Sequence, residues 1–339
     1  MKSFFKICGL IIGILILNCQ VTFAKQETVE ASGSYVIDLK VDETFATGTA
    51  RAREEAKRAA AEKAGVYVQS YSKTINLELD YDEIKTVTAH FLQIQNEDIS
   101  SKSLEGGLLE IIVKVRALVE VDNDEMLKAM MSDKQSLEDA TERYKNLQAE
   151  YDALKKQMED LKQSYNSANS AQRDEIKRSI AQNNKYFEAF LALESGNNFY
   201  FNTNYQQAIS EYTRAIEINP NFAEAYNNRG NAKFSMRNYQ QAIGDYQNAL
   251  RLNKVDARLY NNLGNVYLIQ QDYNAAIQEY TQAINLNPNL FSAYYNRALA
   301  YYNLRQFKNA LPDAQRATAL NPADVDAKKL YDYLVRTVQ

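Results

Sequence analysis

A period of 34 residues runs through the last 150 residues of this chain, and small residues hold the same place in each period. A glycine column reads Gly196, Gly230, Gly264 and Ala298. Two alanine columns read Ala208, Ala242, Ala276 and Ala310, and Ala215, Ala249, Ala283 and Ala317. A bulky column reads Tyr212, Tyr246, Tyr280 and Ala314, and the closing column reads Pro220, Lys254, Pro288 and Pro322. Helical periodicity alone does not keep several columns in register, so we predict four tandem units over 189–324.

These units resemble the tetratricopeptide repeat. The first reads LESGNNFYFNTNYQQAISEYTRAIEINP and the third LGNVYLIQQDYNAAIQEYTQAINLNP. The resemblance implies a mainly α-helical fold with a C-terminal α-solenoid of four helix pairs. Small residues would let the two helices of a pair approach, tyrosines would fill the space between neighbouring repeats, and proline would end the second helix. The chain departs from the pattern at Lys254, Ala298 and Lys233, and Ala314 predicts looser packing in repeat four.

The residues after Pro322 predict one more amphipathic helix, over 325–339. Leu330, Tyr333 and Leu334 share a face that would seal the last repeat, because a solenoid needs a cap at its end.

The resemblance places the first helix of each repeat on a concave surface, and asparagines recur there. We predict peptide contacts from Asn197, Asn227, Asn228, Asn231, Arg258, Asn261, Asn262, Asn265, Tyr295 and Asn296. Each amide offers two donors and an acceptor, which suits the backbone of an extended peptide. The alternative for any single asparagine is a bond to a neighbouring helix or to water. Family members that clamp a terminal carboxylate use basic residues where this chain has Leu193 and Asn262, so we do not expect a clamp.

Residues 28–122 predict a small α+β domain. A strand is expected near 31–41, an alanine-faced helix over 43–65, extended or mixed structure over 65–79 and a shorter helix near 82–92 that Asp82 would cap. A hairpin is expected with arms 93–104 and 108–121 joined by Glu-Gly-Gly at 105–107. The charged residues of the long helix, Arg51 and Glu54 among them, are expected on its other faces.

The order of these elements, with ARAREEAKRAAAEKAGVYVQS after a strand, resembles a domain of bacterial envelope proteins. That domain occurs in the flagellar H-ring protein and in small related lipoproteins. The resemblance implies a role in envelope scaffolding or assembly and no reaction.

Residues 123–188 predict a coiled coil and a linker helix. One heptad position reads Leu137, Tyr144, Tyr151, Met158 and Tyr165, and the other reads Ala140, Leu147, Leu154, Leu161 and Ala168. The pattern predicts self-association through 137–168. The alternative is a long helix that folds back on its own neighbours, since three tyrosines are bulky for a dimer seam. Polar residues over 164–172 predict a hinge.

The first 24 residues read as an export signal. Lys2 and Lys6 precede an apolar run over 7–17 that is short for a membrane span, and Ala24 precedes the expected cleavage site. We therefore expect an exported protein of the periplasm or cell envelope. The alternative is a lipoprotein anchored to the membrane at Cys19.

Charge and composition bear on the class of function. The formal net charge is −4, and it becomes −6 without Lys2 and Lys6, so nucleic acid is not an expected partner. With His90 as the single histidine, we expect no catalytic site, metal or cofactor. The leading hypothesis is a scaffold that binds protein or peptide partners in its repeats. The alternatives are a periplasmic oligomer that coordinates envelope or flagellar assembly, and a carboxylate-dependent hydrolase in the N-terminal domain.

Overall fold

The computed structural model describes residues 26–41, 43–74, 81–120 and 134–338. The chain divides into two compact units, 1–145 and 146–339. The predicted signal over 1–24, with Cys19, lies outside the described residues. The predicted fold class is confirmed: the chain is mainly helical, with helix pairs at its C-terminal end, a long central helix and an N-terminal α+β domain.

The N-terminal unit contains a three-stranded antiparallel sheet in the order β1-β3-β2. Strand β1 spans Gln26–Asp38, β2 spans Leu92–Leu104 and β3 spans Leu108–Glu120. Helix α1 spans Phe45–Thr74 and α2 spans Tyr81–Phe91. The predicted Glu-Gly-Gly turn joins β2 to β3, and both of its glycines have positive φ, which is a backbone region that glycine enters without steric cost.

The core of this unit lies between α1 and the sheet. Alternate residues of β3 are buried on the face toward the helix: Ile111, Val113, Val115, Ala117 and Val119. Ala52, Ala56 and Ala60 of α1 pack against them. At Gly33 of β1 a Cβ would collide with backbone atoms of Ala52 and Ala56. The alanine face therefore lets α1 approach the strands at backbone distance.

Two predictions for this unit are wrong, and two charged residues of α1 are buried. Residues 65–74 are helical rather than extended, because α1 continues to Thr74. Arg51 and Glu54 are buried, with only 1% and 4% of their surface exposed. The Arg51 guanidinium lies over the Tyr35 ring at 5.4 Å, where a cation–π contact compensates part of its lost hydration. Asp82 lies inside the first turn of α2, so it is not the cap residue.

Helix α3 spans Lys134–Ser167, and its part from Asn146 onward belongs to the C-terminal unit. Helix α4 spans Ser170–Phe201. The helix is interrupted at Ala168 and Asn169, inside the segment 164–172, and motion at this predicted hinge stays a prediction. Asn169 then caps α4 in a reciprocal pair of hydrogen bonds with Gln172.

The heptad residues of α3 pack against α4 of the same chain. The Tyr151 ring centroid lies 5.7 Å from that of Phe187 and 5.5 Å from that of Phe190. Asn183 of α4 donates to the Leu154 carbonyl at 3.0 Å. Over this stretch the structure has the alternative arrangement, a helix folded back on its neighbour. Self-association through 137–168 stays a prediction, and the side chains of 134–140 lie outside the described ones.

The repeats consist of helix pairs that follow one another without interruption. The helices after α4 are α5 Tyr205–Ile218, α6 Ala223–Ser235, α7 Tyr239–Leu252, α8 Ala257–Ile269, α9 Tyr273–Leu286, α10 Phe291–Asn303, α11 Phe307–Leu320 and α12 Val325–Val338. The predicted boundary at 188/189 falls inside α4, so the linker helix and the first helix of repeat one are a single helix.

The glycine and tyrosine columns meet within the first three repeats. A Cβ on Gly196, Gly230 or Gly264 would lie 2.5, 2.7 or 2.6 Å from a ring carbon of Tyr212, Tyr246 or Tyr280 respectively. Each of these rings therefore occupies the space that the missing side chain leaves. Tyr280 also packs in one cluster with Ala300 of the next repeat. The expected role of the two columns is thus confirmed.

Repeat four is not loosely packed. Ala298 and Ala314 are fully buried in a cluster with Leu334 of α12, and Leu334 is itself fully buried. The capping helix thus supplies the apolar volume that a tyrosine supplies in the other repeats. Tyr333 remains 48% exposed, although its ring contacts those of Tyr302 and Phe307.

The turn inside each repeat contains a residue with positive φ that is not glycine. These residues are Thr203, Arg237, Gln271 and Arg305, with φ between 58° and 64°. An L-residue in this region is strained, because its Cβ crowds the following carbonyl oxygen. We expect Gln271→Gly to raise the free energy of unfolding by about 0.5 kcal/mol, since the relief of strain exceeds the added freedom of the unfolded chain. Gln271→Ala is the control and should give no gain in denaturant unfolding.

Candidate peptide-binding groove

The first helices of the repeats, α4, α6, α8 and α10, carry a regular hydrogen-bonded network. In three repeats a tyrosine of the second helix donates its hydroxyl proton to an asparagine Oδ1 of the first helix. The pairs are Tyr212–Asn197 at 2.9 Å, Tyr246–Asn231 at 2.8 Å and Tyr280–Asn265 at 2.8 Å. Burial raises the pKa of Tyr246 and of Tyr280, which keeps both hydroxyls protonated and able to donate.

The same asparagine oxygens also accept a bond from the next repeat. Asn228 Nδ2 donates to Asn197 Oδ1 at 2.9 Å, Asn262 Nδ2 to Asn231 Oδ1 at 3.2 Å and Asn296 Nδ2 to Asn265 Oδ1 at 2.9 Å. We call these six residues the asparagine ladder. The alternative in which single amides bond neighbouring helices therefore holds for the ladder, and the ladder joins all four repeats.

Within the described part of the chain, three asparagines of the ladder have internal hydrogen bonds to their Oδ1 atoms but not to their Nδ2 groups. The Oδ1 atoms of Asn197, Asn231 and Asn265 already accept two hydrogen bonds, which is the capacity of an amide oxygen. Among the described residues the Nδ2 groups of these three asparagines meet no acceptor, and they are not sealed from solvent. We call them the donor column. Asn262 Oδ1 and Asn296 Oδ1 likewise accept no bond from the described residues and are open to solvent.

Two predicted contact residues lie beneath the ladder. Asn227 is 3% exposed and Asn261 is 8% exposed. Asn227 donates to Asn228 Oδ1 at 3.2 Å and accepts from Asn262 Nδ2 at 3.1 Å. These bonds of Asn227 hold the ladder from below. Asn261 Oδ1 is buried and accepts no hydrogen bond from the described residues, so burial keeps both side chains from contact with a ligand.

The remaining predicted contact residues, Arg258 and Tyr295, are held by their own helices. Arg258 donates to both carboxylate oxygens of Asp256, at 3.1 and 2.8 Å. The Tyr295 ring stacks on Phe291 at 5.9 Å, and burial together with Asp326 and Asp324 raises the pKa of its hydroxyl. Leu193, at a position where clamp proteins have a basic residue, is fully buried.

Large apolar residues end each first helix beside the ladder. Their column, one per repeat, reads Tyr200, Phe234, Leu268 and Tyr302, and all four are partly exposed. Three of them contact the first aromatic ring of the second helix at 5.4 to 5.7 Å. Phe201 and Ile269 next to them are 37% and 48% exposed. We call the four column residues the apolar strip.

Comparison with known families identifies this region. A family model described as TPR repeat matches residues 196–237 and 264–304, and one described as tetratricopeptide repeat matches 223–254 and 291–324. The C-terminal part of this chain is a tetratricopeptide repeat domain. No family model identifies the N-terminal domain, and no curated protein matches the chain significantly by sequence.

Three solved structures with similar repeats each cover less than half of this chain. The OM64 tetratricopeptide domain of Arabidopsis is 27% identical over 34% of this chain and 95% of its own, with a TM-score of 0.33. The second such domain of human RPAP3, in complex with an HSP70 peptide, is 28% identical over 32% and 91%, with a TM-score of 0.31. PilF of Pseudomonas aeruginosa is 21% identical over 45% and 70%, with a TM-score of 0.43.

A second network in the tetratricopeptide repeats consists of ion pairs that recur in every second repeat. Arg229 makes a bidentate pair with Asp245 at 2.9 and 2.7 Å, and Arg297 makes the same pair with Asp313 at 2.7 and 2.7 Å. Both arginines also donate to a threonine of the preceding repeat, Thr213 or Thr281. A spacing of 34 residues does not reveal these sets, because the same residue types recur only every 68 residues.

Repeat three has a glutamate where its neighbours have the paired aspartates. Glu279 is half-buried and makes no hydrogen bond or ion pair to any described residue. Burial raises the pKa of its carboxyl group, because the charged form loses hydration without gaining a partner. Folding therefore favours the protonated form of Glu279. The resulting stabilisation is fully present below the pKa that Glu279 has in the unfolded protein, and it is lost as the pH rises through the pKa that it has in the folded protein.

We expect Glu279→Gln to raise the melting temperature at pH 7 and to leave it unchanged near pH 4, where wild-type Glu279 is largely protonated. Thermal melts of both proteins across this range measure the difference. Glu217→Gln, at an exposed glutamate of α5, is the control. An equal gain at both pH values would contradict the assignment to Glu279 ionisation.

The described residues also bear on two other kinds of site. None of the described helices is long and apolar enough to cross a bilayer. Within 26–41, 43–74, 81–120 and 134–338, no group of three or more histidine, cysteine or carboxylate side chains is arranged to hold a metal ion.

Proposed function

We propose that the tetratricopeptide repeats bind an extended segment of a partner protein along the asparagine ladder. The observation that carries this proposal is the donor column, in which the Oδ1 atoms of Asn197, Asn231 and Asn265 each accept two internal hydrogen bonds while their Nδ2 groups are open to solvent. In the proposed complex, carbonyl oxygens of the segment accept from the donor column. Its N–H groups donate to Asn262 Oδ1 and Asn296 Oδ1.

The arrangement is preorganised for such a ligand. Each donor-column amide is fixed by two hydrogen bonds from within the fold, so little side-chain freedom is lost when a ligand binds. Backbone groups recur in every peptide, and the ladder therefore recognises an extended chain with little regard for its sequence. The apolar strip adds contact with side chains, which favours segments that carry apolar residues.

A substitution of asparagine by aspartate tests this geometry at each position. Asn231→Asp and Asn265→Asp keep an oxygen for the internal bonds and replace the outward donor with a negatively charged acceptor. We expect the stability of either variant to change by less than about 1 kcal/mol while peptide binding is lost. Asn228→Asp removes an internal donor at a buried site, and we expect it to cost about 2 kcal/mol of stability.

The binding measurement uses the full chain and a displayed library of unstructured peptides. Peptides selected on the wild type are titrated against Asn231→Asp/Asn265→Asp and against Asn274→Asp, a chemically matched change at an exposed site on α9. We expect at least a tenfold loss of affinity for the first variant only. Equal binding by all three proteins would remove the ladder from the binding site.

We propose further that the protein is exported and acts as a scaffold in the cell envelope. The support is the sequence of residues 1–24 and the resemblance of 28–122 to envelope proteins. Intact mass of the protein from its native host tests export, and we expect a mature chain that begins at Lys25. A chain that keeps Met1 would contradict export. A lipid-modified chain that begins at Cys19 would establish the lipoprotein alternative.

A further inference from the structure

Strand β2 forms an open edge of the N-terminal sheet. It is 13 residues long, and among the described residues it pairs with β3 alone. To the residues that the structure describes, β2 makes no hydrogen bond beyond its pairing with β3 and the two bonds from Arg53 to Glu97. The other edge strand, β1, is partly covered, because Lys63 donates to the Glu30 carbonyl at 2.8 Å. A long uncovered edge is a template for another strand.

The described helices of the N-terminal unit do not cover this edge. Helix α1 packs on β1 and β3 and scarcely reaches β2. Ile99 of β2 lies on the helix side of the sheet, opposite Val113, yet it is 46% exposed. Space therefore remains beside α1 for the sheet to continue past β2.

The charges of β2 favour a second copy of the same strand. Residues 96, 98, 100 and 102 share the face opposite α1, and Asp98, Ser100 and Lys102 on it are exposed. Two antiparallel copies of β2 are related by a two-fold axis perpendicular to the sheet, and this axis keeps both α1 helices on one side. Residues that face each other across the pair must then lie on the same face of the sheet. Because side chains alternate between the two faces, the residue numbers of a facing pair must add up to an even value. This excludes every odd register.

Among the even registers, one forms two ion pairs. When the numbers of facing residues add up to 200, Asp98 faces Lys102 of the second copy. The two-fold symmetry places Lys102 against Asp98 of the second copy as well. Ser100 then faces its own copy on the axis. A sum of 196 would set Asp98 against its own copy, and a sum of 204 would do the same for Lys102, which is unfavourable for like charges.

We propose that β2 pairs antiparallel with β2 of a second chain in the register that centres on Ser100, so that two sheets become one six-stranded sheet. Ile99 then faces Ser101 of the partner and is a diagonal neighbour of the partner's Ile99, within side-chain reach. This interface is independent of the groove and of residues 137–168.

Disulfide trapping tests the register in the full chain. Cys8 and Cys19 are the only cysteines, so both are changed to serine first. Ser100→Cys should form an intermolecular disulfide rapidly, because facing Cα atoms in such a ladder lie about 4.5–5.5 Å apart. Ser103→Cys is the control on the same strand, and its two copies would lie too far apart to react. Equal cross-linking at both positions would overturn the register.

Charge reversal tests the interface without cysteines. Asp98→Lys and Lys102→Asp should each raise the dimer dissociation constant at least tenfold in sedimentation velocity, and the double variant should return it to within about threefold of the wild type. Repulsion from Lys114 or Glu110 within one chain is the same in monomer and dimer, so it cancels in the dissociation constant. A wild type that stays monomeric at about 1 mM, or a dimer that neither single variant weakens, would overturn the proposal.

Discussion

Tyr280→Ala is expected to lower the free energy of unfolding by about 3–4 kcal/mol, because it empties a fully buried site and removes the hydroxyl that orients Asn265. Gly264→Ala is expected to cost about 2 kcal/mol, because its Cβ would lie 2.6 Å from the Tyr280 ring. The double variant should cost clearly less than the sum, since the new methyl group enters the space that the ring has left.

Repeat four provides the matched precedent for this pair. It carries alanine at both equivalent positions, 298 and 314, and both are fully buried. Denaturant unfolding of the wild type, the two single variants and the double variant measures the coupling. Strict additivity of the two single effects would contradict the contact between the glycine and tyrosine columns.

Asp313→Ala is expected to lower the free energy of unfolding by about 3 kcal/mol. It leaves Arg297, whose side chain is only 17% exposed, without both of its carboxylate bonds. Burial takes hydration from the Arg297 guanidinium, and the bonds and charge contact with Asp313 outweigh that loss and raise its pKa. Without Asp313 the loss of hydration is no longer offset, while the guanidinium stays charged because arginine is too basic to lose its proton in a protein.

The double variant Arg297→Leu/Asp313→Ala provides the control for this prediction. Repeat three has leucine at the position equivalent to Arg297, so the fold accepts that side chain there. The double variant should recover part of the loss, because no unpaired charge remains buried. Thermal and denaturant unfolding of both proteins measures the recovery. A double variant less stable than Asp313→Ala would contradict the explanation.

The repeat architecture was predictable because the residues at each recurring position make the same kind of packing contact in every repeat. Glycine and alanine at fixed spacing allow only a close crossing of helices, and the structure places Gly264 against Tyr280 accordingly. The asparagine columns were equally visible, but their spacing does not say which amide atom faces inward. That choice depends on Tyr246 and Tyr280, which belong to the other helix and to another column.

Other features depend on contacts that periodicity does not encode. Arg51 looks like a solvent-facing residue on the helical wheel, yet Tyr35 of a strand brings it inside. The heptads of α3 predict a seam without naming the partner, which over Tyr151–Met158 is α4 of the same chain. Ala314 indicates a gap in repeat four, and only the docking of α12 explains how Leu334 fills it.

The side-chain amide signals of the full chain report directly whether the donor column binds a peptide. A selected peptide is titrated into isotope-labelled protein, and the 1H–15N resonances of asparagine Nδ2 groups are followed. We expect the signals of Asn197, Asn231 and Asn265 to shift on binding while that of Asn274 on α9 does not. Binding that shifts Asn274 and other second-helix residues, and leaves the donor column unmoved, would contradict this expectation.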